Sequence, residues 1–148
     1  MSKCPRFGRD VANRANDSSE GTYDAYDLSI DDGVCRILDA AWNRRDVKAV
    51  LAHYSEEAQF VSPVARNLVG RPILRNKQEL ENYWRTALAR ISTLEFKLDH
   101  AAWDERRLEL NVIYEANLNG ERKRACEIMQ FDTAGRQVRG EALYGAII

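Results

Sequence analysis

At 148 residues the chain has the length of one domain and can bury a real core. With 22 basic against 23 acidic residues and a formal net charge of -1, it lacks the electrostatic footprint that holds phosphate backbones or anionic lipid, so neither nucleic acid nor a membrane surface is an expected partner. No apolar run approaches the roughly 20 residues that span a bilayer. The polar N-terminal stretch also lacks the apolar core of a secretory signal, which makes the cytoplasm the expected location.

Residues 1–28 show no lasting periodicity and change from basic (Lys3, Arg6, Arg9, Arg14) to acidic (Asp17, Glu20, Asp24, Asp27). They read as a flexible polar tail, from which Tyr23 and Tyr26 can fold back, ahead of a single domain over 29–148. From Asp31, Val34, Ile37, Leu38, Ala41 and Trp42 recur at helical spacing. Asp46 is then a plausible N-cap for a second helix carrying Val47, Val50, Leu51 and Tyr54. Ala58 to Pro63 reads as a short strand, with Phe60 on one face, that its proline ends. A loop from Asn67 to Asn76 leads into a third helix, signalled by Asn76 with Glu79 and by the stripe Leu80, Tyr83, Trp84, Ala87, Leu88 and Ile91.

Thereafter the period changes to 2. Leu94, Phe96 and Leu98 share one face of a strand, and Leu108 to Leu118 alternates over a longer one. Asn119-Gly120 marks a type I′ hairpin, its partner strand runs from Glu121 to Phe131, and the last strand covers Gln137 to Tyr144. Three helices followed by an antiparallel meander predict an α+β fold in which a curled sheet holds the helices on its concave side, with a hollow between them.

The period-2 reading puts Glu127 on the same face as Ala125, Met129 and Phe131. A carboxyl group there either projects into the hollow, where desolvation would raise its pKa and fit it for acid/base work, or pairs with an arginine on the outer face after a bulge. Tyr144, on the face of Val138, Gly140 and Ala142, and Tyr114 on its own strand are candidate partners for it, or core fillers. Trp42, Tyr83 and Trp84, with Phe60 and Met129, are candidate pocket walls suited to a small apolar or cyclic molecule, or plain core. His53 and His100, which continues the Leu98 face, are candidates for the pocket mouth, whereas Trp103 falls off that face and reads as outer surface.

No histidine–carboxylate trio suggests a metal, and Cys4, Cys35 and Cys126 form neither a C-x-x-C nor an even set. With no G-x-G-x-x-G, P-loop or G-x-S-x-G, no cofactor and no serine nucleophile are expected. The outward sheet face, carrying Ile113, Cys126, Ile128 and Leu143 among charges, suits a homodimer.

The segment A-A-W-N-R-R-D-V (Ala40 to Val47) resembles the A-W-N-x-x-D helix break of nuclear transport factor 2-like proteins, which include SnoaL-like polyketide cyclases and ketosteroid isomerases. Y-S-E-E-A-Q-F-V-S-P, E-L-E-N-Y-W, F-D-T-A-G-R and A-L-Y-G are similar to further pieces of that pattern, and together they cover Asp31 to Gly145. The resemblance implies a cone-shaped barrel of curved, mostly antiparallel sheet. It also implies an activity among isomerisation, cyclisation, dehydration and hydrolysis, or a non-catalytic ligand-binding or interaction role. Ser62 stands where the isomerases carry their general base, Leu38 falls near the position of their oxyanion-binding tyrosine, and Glu127 falls on their second, protonated donor. Asn111, Glu115 and Ala142 supply no counterpart of the Asp-Arg-Asp trio of limonene epoxide hydrolases.

Overall fold

A computed structural model describes residues 37–148. The expected tail over 1–28 and the start of the first helix lie outside the described residues. A π-wound turn α1 (Ile37–Trp42) and α2 (Val47–Leu51) precede β1 (Tyr54–Val61), α3 (Pro63–Val69), β2 (Ile73–Leu74) and α4 (Lys77–Ala89). Four long strands follow: β3 (Leu94–Asp104), β4 (Glu109–Leu118), β5 (Glu121–Phe131) and β6 (Gln137–Ile147). None of the described helices is long and apolar enough to cross a membrane.

The strands form one sheet in the order β2-β1-β6-β5-β4-β3, with β1 and β6 parallel and every other pair antiparallel. Its edges β2 and β3 are not joined, so the expected cone-shaped barrel is an open, curved sheet with the helices against its concave face. Asn119 (φ 55) and Gly120 (φ 86) make the hairpin between β4 and β5, both in the left-handed region that a type I′ turn requires.

The break after α1 is built from side chains. Arg45 takes a positive φ of 59 and its guanidinium donates to the carbonyls of Leu88, in the last turn of α4, and of Ile91 and Ser92 just beyond it. Asn43 behaves like a strand residue: its amide donates to Phe96 O (3.0 Å) and its Oδ1 accepts from Phe96 N (2.8 Å), covering part of the open edge of β3. Asp46 accepts from Ala49 N and caps α2.

Four sequence expectations change. Pro63 does not end a strand but occupies the first turn of α3, with Ser62 as N-cap and Gly70 (φ 80) closing the helix. Tyr54 is not the end of the second helix; it opens β1 opposite Gln137, four residues before the expected start of the strand. A register shift between Leu98 and His100 moves the remainder of β3 by one residue, so His100 turns to solvent while Trp103 turns inward onto Phe131 at 6.0 Å. A further shift between Gln130 and Phe131 places Gln137, rather than Val138, on the inner face.

Across the inner face, Ala101, Val112, Glu127 and Ala142 lie side by side on β3 to β6, next to a row of Leu98, Tyr114, Ala125 and Tyr144. One buried cluster joins the helices to β1 and the other lines β3 to β5, with Trp42 and Tyr144 touching both. On the outer face Ile113, Cys126 and Leu143 are neighbours, Leu143 being 46% exposed.

Gly140 is opposite Phe60, and a Cβ placed there would approach Phe60 Cδ2 to 2.6 Å and Cε2 to 2.9 Å. The Phe60 ring is buried and packs on Trp84, so it has little room to yield. Gly140→Ala is expected to lower stability by about 1–3 kcal/mol, seen as a lower denaturation midpoint with an unchanged m-value.

Candidate functional site

Between α4 and the concave sheet lies a cavity of about 80 Å³. Its inner walls are Trp42, Phe60, Tyr83, Trp84, Phe96, Tyr114, Ala142 and Tyr144, and among the described residues Glu127 is the only charged one that lines it. Ala87, Leu88, Ile91, Leu94 and Leu118 line it while remaining half-buried, which marks the open end where α4 runs out beside the β4–β5 hairpin. This volume is smaller than the ~150 Å³ apolar cavity that holds benzene. The resting cavity therefore admits a compact group of a few heavy atoms, or one end of a longer molecule that protrudes through the mouth.

The sequence candidates divide accordingly. Trp42, Phe60, Tyr83, Trp84, Tyr114, Glu127, Ala142 and Tyr144 come together around the cavity. Met129 does not line it: one row further from the mouth, it is buried in the second core cluster among Leu110 and Phe131. His53 is exposed at the end of α2, and His100 sits on the outer side of the bulge beside Asp99, so neither reaches the cavity. Among the described residues no cluster of His, Cys, Asp and Glu could hold a metal ion.

Two polar residues of the site went unread in the sequence, Tyr54 and Gln137. Tyr54 donates to Glu127 Oε1 at 3.4 Å, and Gln137 Nε2 donates to Tyr54 Oη at 2.9 Å. All three are buried. Tyr54 was assigned to a helix, and the bulge that turns Gln137 inward leaves no mark in the residue pattern. Their one visible signal was a tyrosine heading a segment that alternates weakly, Y-S-E-E-A-Q-F.

Ser62, at the position of the expected base, is fully buried and structurally committed: its Oγ accepts from Val64 N as the cap of α3 and shares a 3.0 Å hydrogen bond with Tyr83 Oη. It does not line the cavity.

Burial dominates the electrostatics. Desolvation pushes the Glu127 carboxyl up to about 7 from its ordinary 4.5, with the Tyr54 hydrogen bond pulling the other way. Burial also raises Tyr54, Tyr83, Tyr114 and Tyr144 above the usual phenol value, and the Glu127 charge adds to each. All four phenols therefore stay protonated near neutrality, while Glu127 divides between its two forms. Among the described residues no hydrogen bond holds the hydroxyls of Tyr114 and Tyr144, and no fully buried side-chain oxygen or nitrogen is left without a partner, so these two hydroxyls are not fully buried. Both hydroxyls thus open onto the cavity, where an occupant can satisfy them.

A carboxyl whose folded pKa exceeds its unfolded one binds its proton more tightly in the folded protein. Its contribution is fully present below pH 4.5 and is lost as pH rises through 7. Between pH 5 and 8 the wild type is expected to lose on the order of 3 kcal/mol more stability than Glu127→Gln, whose amide stays neutral. Urea unfolding of both proteins at the two pH values measures this, and parallel curves would show that the carboxyl is solvated.

The same architecture recurs in solved structures. A SnoaL-like protein of unknown function from Burkholderia thailandensis superposes with a TM-score of 0.71 at 26% identity, covering 81% of this chain and 97% of its own. A putative polyketide cyclase from Sinorhizobium meliloti (TM-score 0.62, 16% identity, 76% and 94% covered) and an LEH-like epoxide hydrolase from M. tuberculosis (0.61, 16%, 80% and 84%) share the fold. Among curated proteins no sequence match is found. The sequence profile of the SnoaL-like domain matches residues 34–140, and this chain belongs to the SnoaL-like family.

Proposed function

We propose that this SnoaL-like domain binds a small, neutral, mostly apolar molecule carrying a carbonyl, ether or hydroxyl oxygen, and that Glu127 moves a proton on it. One observation carries the reading: a single buried carboxyl, titrating near 7, stands in the wall of an otherwise apolar and aromatic cavity. A group half-protonated at neutral pH serves as acid or base with equal ease, which is the Brønsted optimum for proton transfer.

The absence of a second lining carboxyl narrows the chemistry. Hydrolysis needs a further group to position and deprotonate water, whereas isomerisation or cyclisation conserves the atoms of the substrate and needs only a proton delivered and returned. Proton-shuttling isomerisation or cyclisation is therefore the favoured reaction class, with Tyr114 and Tyr144 holding the substrate oxygen through their open hydroxyls. The commitment of Ser62 to the α3 cap and to Tyr83 favours a second reading, a binder without turnover, because the position that carries a base in the isomerases is chemically silent here.

One pair of measurements separates them. Native mass spectrometry of protein purified from cells identifies a co-purifying molecule, and that compound with small cyclic ketones and phenols is then titrated against tryptophan fluorescence. Under the catalytic reading Glu127→Gln lowers turnover by about 10² or more while binding changes by less than about threefold. Affinity of the wild type for a ligand oxygen that accepts from the protonated carboxyl should weaken as pH rises through about 7, and that inflection should vanish in the variant. Turnover that survives the substitution would remove Glu127 from the chemistry.

A further inference from the structure

The reading that Glu127 transfers protons leaves open which of its two oxygens does so, and the geometry around Tyr54 answers this. Gln137 Nε2 lies 2.9 Å from Tyr54 Oη and 3.4 Å from the carbonyl oxygen of Arg139. A carbonyl can only accept, so the NH₂ end of the amide points this way and donates to both oxygens. Tyr54 Oη accepts from that amide, and its one proton is directed to Glu127 Oε1 at 3.4 Å. Oε1 is thereby held. Oε2 has no hydrogen-bond partner, and no fully buried side-chain oxygen lacks one among the described residues, so Oε2 keeps some open surface and is the atom through which Glu127 meets the cavity.

We propose that Gln137 and Tyr54 are positioning residues, forming a one-way chain from Gln137 Nε2–H to Tyr54 Oη–H to Glu127 Oε1 that reserves Glu127 Oε2 as the proton-carrying atom. In the acid form the proton sits on Oε2, facing the cavity; in the base form the same oxygen presents its lone pairs there. This rests on the acid/base reading of Glu127.

The backbone supports the assignment independently. Tyr54 and Gln137 are direct partners in the only parallel strand pair among the described residues, and each adjoins a register irregularity, between Tyr54 and Gln59 on one strand and opposite Gln130 and Phe131 on the other. Irregularities of this kind re-aim side chains, and here both residues turn inward, Tyr54 onto Glu127 and Gln137 onto Tyr54. Gln137 N also donates to His53 O at 2.8 Å, which fixes the two chain segments to each other at that point. The other titratable groups facing Glu127 are Tyr83 from α4, Tyr114 from β4 and Tyr144 from β6, none of which hydrogen-bonds it, while Cys126 occupies the opposite face of its own strand. Among the described residues no cation lines the cavity.

The test reads the carboxyl directly and needs no substrate, so it stands apart from any test of turnover. The protein is labelled with ¹³C at the glutamate carboxyl, Glu127 is assigned by its loss in Glu127→Gln, and its titration is followed by NMR. Tyr54→Phe removes the proton donated to Oε1, and Glu127 is expected to become about tenfold harder to ionise, a midpoint about one unit higher. Gln137→Leu weakens the donor behind Tyr54 and should move the midpoint in the same direction by a smaller step, about threefold. In the double variant Gln137→Leu should add nothing to Tyr54→Phe, because the second link acts only through the first. An unchanged midpoint in Tyr54→Phe overturns the chain, as does a Gln137→Leu shift that persists in full without the tyrosine hydroxyl. Should Tyr54→Phe fail to fold, an unmoved midpoint in Gln137→Leu overturns it alone.

Discussion

The space between α4 and the sheet is held open by Trp84. Its ring is buried and meets three others edge-on: Trp42 at 5.0 Å, Tyr54 at 5.4 Å and Phe60 at 5.5 Å. Each such pair contributes about 0.5–1.5 kcal/mol beyond the area it buries, and edge-to-face geometry fixes the angle at which rigid rings meet. A flexible aliphatic in this place would let the helix settle onto Ala142 and Glu127. With Trp84 as a spacer the helix stands off, the cavity persists, and the carboxyl faces aromatic walls in place of water. The displaced pKa of Glu127 is thus a consequence of how rings pack above it, more than of any single charge near it.

The mouth of the cavity depends on a different set of contacts. Trp42, Asn43, Arg45 and Asp46 are close in sequence, and the chain reversal after α1 sends them in different directions. Trp42 turns into the cavity; Asn43 ties down β3 at Phe96, itself a lining residue; Arg45 holds carbonyls in the last turn of α4 and just beyond it; and Asp46 starts the next helix. Asn119 Oδ1 completes the rim by accepting from Ser92 and Thr93, which joins the end of α4 to the β4–β5 hairpin. The A-W-N-R-R-D segment therefore does structural work on the site without supplying chemistry to it.

Periodicity made most of this fold legible. The stripe of Leu80, Tyr83, Trp84, Ala87 and Leu88 could belong only to a helix, and the Asn119-Gly120 pair set the register of β4 on β5, which in turn fixed the face of Glu127. What stayed hidden has one physical cause. A bulge adds a residue without changing the residue types around it, yet it exchanges the two faces for the remainder of the strand. His100 and Trp103 were read on the wrong faces for this reason, and Gln137 was missed for it. The α3 error is of another kind: the capping serine, first-turn proline and terminal glycine were all present at Ser62, Pro63 and Gly70, but seven residues carry too little periodicity to outweigh a Gly/Pro-rich appearance.

The irregularities that defeated pattern reading are also those that build the site. A regular strand pair presents alternate side chains and cannot by itself bring a phenol onto a buried carboxyl two strands away with an amide of the intervening strand behind it. Shifting the register after Tyr54 on β1 and after Gln137 on β6 does this, with the ladder locally interrupted. Polar groups so placed satisfy one another in a region where each alone would be strongly destabilising. One oxygen of the carboxyl enters that arrangement and the other does not, so the asymmetry of Glu127 follows from strand geometry before any ligand arrives. With Ser62 committed to a helix cap, the proton chemistry proposed for this chain rests on one carboxyl, buried deeply enough to be pushed up to about 7 and anchored on one side only.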